Sequence, residues 1–289
     1  MGEPFVAEHG DYQVKYRMLG PLRIDFCGQS AVPSAPKLRM LLTLLLFNAN
    51  RPIATPVLLK ELWGENPPAS AMNTLQTYVF QLRKWLADSC GSTPDEVGRD
   101  LLVTDVDGYA LRVRRGELDV HLFEEQALEG SRTLAAGEHA AAASLLRVAL
   151  ELWRGPIVTD FQPERGIQAH ITRLEERHLY VLEQRIEADL NLNLHQELVS
   201  ELASLVVEHR LHETLHAKLM IALHRSGRTS GALDVFRRLR EEMVDQLGIE
   251  PSFRLQALHR AILSGTRLLD WAPGRGGVRS VLDLIAASG

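Results

Sequence analysis

The sequence predicts a mixed α/β segment at the front, three helices between two groups of short strands, and an all-α rear of stacked helical hairpins. Three observations carry this. Residues 73–86, NTLQTYVFQLRKWL, place Leu75, Tyr78, Val79, Leu82 and Leu86 on one apolar stripe of a helix. Short apolar runs punctuated by turn residues lie on both sides of the helical stretch. From Leu118 onward the pattern is almost wholly helical.

In chain order, Tyr16–Leu19, Leu22–Phe26 and a weaker run at Ala31–Val32 read as strands, with Gly20-Pro21 and Cys27-Gly28 as the turns between them. Residues 35–48, APKLRMLLTLLLFN, read as a buried helix with a basic start. Pro52–Ala54 is short and apolar and adds one strand residue or two. Thr55 followed by Pro56 supplies an N-cap and a first-turn proline for a short helix through Leu58 and Leu62 to Trp63, which Gly64 ends. Pro67 and Pro68 make a turn, and Ser70 is placed to cap the helix that carries residues 73–86. Leu101–Thr104 and Tyr109–Val113 then read as two strands joined by the Asp107-Gly108 hairpin signal. A small sheet, three helices and a hairpin, in that order, predict a winged helix-turn-helix of the response-regulator output type.

In the rear, Ala140–Leu152 is a helix closed by Gly155-Pro156, and Ile167–Leu192 is a long one. Leu198, Leu202 and Leu205 recur as Ala232, Phe236 and Leu239 at an offset of 34 residues, the tetratricopeptide period. Such a solenoid has no chemistry of its own and presents a surface to partners. Pro273–Gly277 reads as a linker, Ser280–Ala287 as a short helix, and the first 14 residues as a mobile lead.

The face of residues 73–86 opposite the apolar stripe carries Asn73, Gln76, Thr77, Phe80, Arg83 and Lys84. Alone, this is an ordinary amphipathic helix with a solvated polar face. Set between a preceding short helix and a hairpin, it has the chemistry of a major-groove reader. Asn73, Thr74, Gln76 and Thr77 are expected at the bases, with Phe80 against a thymine methyl. Arg51, Thr55, Arg83 and Lys84 are expected at phosphates, with Lys37 and Arg39 as weaker candidates. The wing, Asp107 through Gly108 to Tyr109, is expected to approach the minor groove or the backbone.

With these blocks in place the chain resembles the Streptomyces antibiotic regulatory protein family, the small activators of secondary-metabolite gene clusters. The resemblance rests on LGPLRI (19–24), PKLRMLLTLLLFNANRPI (36–53), LLKELWGENPPASAMNTLQTYVFQLRKWL (58–86) and GYALRV (108–113). It continues through GELDVHLFEE (116–125), LWRGP (152–156), LMIALHRSGR (219–228) and LGIEPS (247–252). Phe80, Gln81 and Trp85 depart from it, standing where smaller or basic residues are more common in the family. The resemblance implies a winged-helix DNA-binding domain over 15–115, a helical bacterial transcriptional activation domain over 116–268, and a tail over 269–289. It further implies an activator that binds direct repeats in promoter DNA as a homodimer and recruits RNA polymerase holoenzyme with its sigma factor.

Composition agrees. The 289 residues, 45% hydrophobic, suffice for two cores, and the net charge of −5 is unevenly spread. Residues 11–115 hold 13 Lys and Arg against 10 Asp and Glu, whereas residues 116–289 hold 19 against 25. A mildly basic front and an acidic rear fit DNA contact by one and protein contact by the other. Cys27 and Cys90 have no metal or disulfide spacing, the start MGEPFVAEHG has no secretion signal, and no apolar run spans a bilayer. A cytoplasmic, membrane-free, cofactor-free protein is expected.

His212-Glu213-Thr214-Leu215-His216 matches H-E-x-x-H, the zincin pattern. It lacks the downstream third ligand, and Leu211, Leu215, Leu219 and Leu223 run a core stripe through it. A zinc hydrolase is therefore the minor alternative, beside a purely scaffolding helical protein. The main expectation is a non-enzymatic, sequence-specific activator.

Overall fold

The computed structural model describes residues 14–26, 29–157 and 161–265. The readings for Cys27-Gly28, for residues 1–13, and for the linker and short helix after residue 268 lie outside these. The chain forms two compact units, residues 1–125 with 151–178 and residues 126–150 with 179–289.

In the first unit, strands β1 (Val14–Arg17), β2 (Arg23–Phe26) and β3 (Gln29–Ala31) form an antiparallel sheet. Period-2 alternation sends Val14, Tyr16, Ile24 and Phe26 inward, all buried. Phe26 meets Trp85 edge-on at 5.4 Å between ring centroids, so the sheet packs behind the helix that carries residues 73–86. Helix α1 (Pro36–Phe47) has every Leu and its Met buried, as a helix apolar on all sides must be. β4 (Ile53–Ala54) leads into α2 (Thr55–Trp63). Ala54, not Thr55, is the N-cap; Thr55 is the first helical residue, and its N–H donates to Asp107 O at 2.9 Å. Gly64, at φ 72°, ends the helix as expected.

Helix α3 (Ala71–Cys90) is longer than its sequence stripe and closes on Gly91 in the left-handed conformation. Ser70 is its N-cap without a side-chain bond. The sequence reading missed α4 (Pro94–Asp100), although its start was legible: Thr93 and Glu96 form a capping box, with Pro94 in the first turn. Its only buried residue is Val97, so no apolar periodicity announces it. β5 (Leu102–Thr104) and β6 (Gly108–Leu111) make the hairpin, and β4 joins it in the order β4-β6-β5.

The first unit continues past residue 115. Tyr16 N–H donates to Glu117 O at 2.7 Å, and the Asp119 carboxylate accepts from Met18 and Leu19 N–H at 2.8 and 3.0 Å. Asp119 opens α5 (Asp119–Ala135) and is itself buried; burial pushes its carboxyl above the usual range, against the opposing pull of those two N–H groups. Trp153 sits between Phe123 and His178, at 5.6 and 4.3 Å. Glu61 of α2, also buried, accepts from Gly166 and Ile167 N–H at 3.1 and 3.3 Å. It thereby caps α7 (Arg165–Asn191), where a carboxylate complements the helix dipole.

The second unit is helical. The C-terminal half of α5 lies against α6 (His139–Glu151) so closely that a Cβ on Gly130 would fall 2.7 Å from Leu146. α8 (His195–Glu208), α9 (Glu213–Arg225), α10 (Thr229–Leu247) and α11 (Phe253–Leu263) follow, joined by short turns. One core holds Leu198 and Leu202 together with Ala232, Phe236 and Leu239, and Leu205 packs partly buried against it. Arg185, almost fully enclosed, is held by Asp189 at 3.1 Å and by Glu201 at 2.9 Å, and Arg147 adds a further bond to Asp189 at 2.7 Å. A buried guanidinium is tolerated only when paired in this way.

Candidate nucleic-acid interface

The site is built on α3. Leu75, Val79, Leu82 and Leu86 are buried, and Tyr78 is half-buried, its ring stacked on Trp63 at 6.0 Å. This stripe fixes the rotation of the helix about its axis, and Asn73, Gln76, Thr77, Phe80 and Lys84 face solvent. Phe80 is 59% exposed. Among the described residues no hydrogen bond engages the Asn73 or Gln76 amides, so both keep donor and acceptor for a base edge. Thr74 and Thr77 hydroxyls donate back to Ser70 O and Asn73 O at 3.0 and 2.9 Å, leaving their oxygens as acceptors. Arg51 is exposed in the turn before β4, and Thr55 is half-buried at the start of α2.

Other expected contacts are engaged elsewhere. Lys37 donates to Leu62 O, and Arg39 reaches Pro33 O and Ser34 O at 2.7 and 2.6 Å; both side chains are half-buried and tie α1 to its surroundings. Arg83 donates to Leu102 O and Thr104 Oγ1 in β5, at 2.8 to 3.0 Å. Gly108 is buried where β6 crosses β4, and a Cβ there would lie 1.9 Å from Ile53 O. Its role is strand pairing, and it carries no side chain to offer a duplex. Tyr109 is half-buried, opposite Ile53 and Thr104. The hairpin tip carries Asp105, Val106 and Asp107, all exposed, and no cation. Carboxylates do not approach phosphates favourably.

The H-E-x-x-H segment does not form a metal face. His212 lies outside α9 as its N-cap, with Nε2 3.3 Å from Glu183 Oε1. His216 is buried in the core, which lowers its pKa, and its Nδ1 faces His212 O at 3.2 Å. Glu213 accepts from Ser252 N–H at 2.8 Å. Among the described residues no group of three or more His, Cys, Asp or Glu side chains is placed to hold a metal. None of the described helices is long and apolar enough to cross a membrane.

Two family descriptions match the chain: bacterial transcriptional activator domain over residues 118–263, and transcriptional regulatory protein, C terminal, over residues 28–111. The chain is 45% identical over 250 residues to regulatory protein DnrI of Streptomyces peucetius, covering 86% of this chain and 92% of DnrI. It is 36% identical to regulatory protein AfsR of Streptomyces griseus, again over 86% of this chain but only 24% of AfsR. Among solved structures, Mycobacterium tuberculosis EmbR in complex with a low-affinity phosphopeptide is similar, with a TM-score of 0.83 and 29% identity. The match spans 96% of this chain and 69% of that one.

Proposed function

Because the chain belongs to the Streptomyces antibiotic regulatory protein family and is a transcriptional activator of that family, we propose that it activates a secondary-metabolite gene cluster by reading direct repeats in its promoters. The observation that carries this reading is the exposed face of α3, where Asn73, Gln76, Thr77 and Phe80 stand side by side opposite the buried Leu75, Val79, Leu82 and Leu86. Asn and Gln amides pair with an adenine edge, and Phe80 meets a thymine methyl. Lys84 and Arg51, both exposed, take phosphates, and so does Thr55 at the start of α2. The helical rear, residues 116–268, contacts RNA polymerase holoenzyme and its sigma factor, and two copies assemble on DNA. Its tetratricopeptide-like period fits a partner-binding role. No catalytic group is invoked.

The test is a footprint of the full chain on the DNA upstream of the genes around its own. Protection of two direct repeats, with transcription in vitro rising on addition of the protein, is the expected result. Absence of any protected site at 10-fold to 100-fold over nonspecific affinity, a small fraction of the usual specificity ratio, would refute it.

A further inference from the structure

Arg83 lies on the DNA-reading helix, yet its guanidinium points at the hairpin. Nε and Nη2 both donate to Leu102 O, at 3.0 and 2.9 Å, and Nη2 also donates to Thr104 Oγ1 at 2.8 Å. Gly98 of α4 lies over it so closely that a Cβ there would stand 3.2 Å from Nε and 3.3 Å from Cζ. Leu102 and Thr104 are the two ends of β5, paired with Leu111 and Tyr109 of β6. One side chain therefore joins α3, α4 and the hairpin. Charge-assisted bonds from a planar guanidinium are stiff, and to the pairing of β6 with the two-residue β4 they add a direct tie from the hairpin to α3.

The hairpin that Arg83 holds has an unusual tip for a DNA-binding element. Val106 is 95% exposed between the exposed carboxylates of Asp105 and Asp107, and no Lys or Arg lies between Leu101 and Leu111. Such a tip gains nothing by touching the backbone and is repelled when pressed against it. On the correct sequence the base contacts set one depth and tilt for α3. On a wrong sequence the protein maximises phosphate contacts instead, which changes that depth and tilt and moves anything rigidly attached to the helix.

We propose that Arg83 is a positioning residue that makes α3 and the hairpin one rigid body, and that it thereby holds Asp105 and Asp107 as an electrostatic stop against duplexes on which α3 is out of register. The proposal rests on the DNA-reading function above and assigns it a source of discrimination by repulsion. Both carboxylates act only within a Debye length, about 8 Å at physiological salt.

The experiment measures binding of the full chain to its footprinted duplex and to a scrambled duplex of equal length, by fluorescence anisotropy over a series of salt concentrations. Asp105→Asn with Asp107→Asn should tighten scrambled DNA about threefold or more over any gain on the footprinted site, the scale of two screened charges. Asp88→Asn with Asp95→Asn, an equal change of net charge at other exposed positions, should leave the ratio between the duplexes unchanged. Arg83→Gln should lose discrimination to the same degree with an unchanged salt slope, and adding it to the tip variant should cost no further discrimination. Thr104→Val, which removes one of the three bonds and no charge, should act in the same direction and serves if Arg83→Gln does not fold. A salt slope lowered by about one in Arg83→Gln would make Arg83 a phosphate ligand and overturn the proposal. Equal tightening of both duplexes by the tip variant would overturn it as well. If the wild-type chain fails to discriminate at all, the DNA-reading function itself falls.

Discussion

Asp119→Ala should destabilise the first unit by about 2 to 6 kcal/mol, because it leaves two enclosed N–H donors without an acceptor at roughly 1 to 3 kcal/mol each. Those donors are the Met18 and Leu19 amides, whose residues are 3% and 0% exposed, so water cannot replace the carboxylate. Asp119→Asn should recover part of the loss, since its single oxygen satisfies one N–H while its NH2 faces the other. The pH dependence follows from burial, which raises the Asp119 pKa in the folded state above its value in the unfolded chain. A raised pKa favours the protonated form on folding, so the contribution of this group is fully present below the unfolded value, about 3.9, and declines as pH rises through the folded one. The stability gap between wild type and Asp119→Asn should therefore narrow from acid to neutral pH. Urea unfolding followed by tryptophan fluorescence measures it, with Trp63, Trp85 and Trp153 all in the first unit. A loss below about 0.5 kcal/mol in Asp119→Ala would show that the two amides find other partners and that the buried-acceptor argument is wrong.

Gln76→Ala should cost about 1 to 3 kcal/mol at its cognate base and relax preference there, whereas Lys84→Ala should weaken every sequence alike and lower the salt slope by about one; equal losses on specific and scrambled DNA would exchange these roles. Gly166→Ala should destabilise the first unit by about 1 to 3 kcal/mol in the same unfolding assay, because a Cβ at 2.4 Å from the Glu61 carboxylate must displace it from the start of α7. A fragment of residues 1–116 keeps the whole of α3 but loses the Glu117 carbonyl, the Asp119 carboxylate and Trp153, so it should melt well below the full chain and bind promoter DNA only when cooled; unchanged melting would show that the front segment folds without them. Inserting about 5 bp between two direct repeats should rotate the second site to the far face of the duplex and abolish cooperative binding, while about 10 bp should restore part of it; indifference to the half turn would refute a head-to-tail pair.

What could be read from the sequence was what a single helix decides for itself. The stripe Leu75, Val79, Leu82, Leu86 fixes which side of α3 is buried, and with it the exposure of Asn73, Gln76, Thr77 and Phe80, because side-chain direction at 3.6 residues per turn is local. Which cations the fold engages internally is not local. Lys37, Arg39 and Arg83 share positive charge and helical placement with Lys84, but the first three meet carbonyl oxygens that the fold brings up, Leu62 O for Lys37, Pro33 O and Ser34 O for Arg39, and Leu102 O for Arg83. No pattern in a single sequence separates a cation with a carbonyl waiting for it from one without. The same reasoning applies to Asp119 and Glu61. Each reads as an ordinary surface acid near a helix end, and each is buried because backbone N–H groups about 100 residues away in the chain, Met18 and Leu19 for one and Gly166 and Ile167 for the other, require an acceptor there. Glu61 belongs to α2, the helix directly before α3, and it grips the start of α7. If α3 reads DNA as proposed, the Glu61 anchorage bears on how the helix is presented although no DNA-binding motif contains these residues, and variants at Gly166 should shift operator affinity without touching a base.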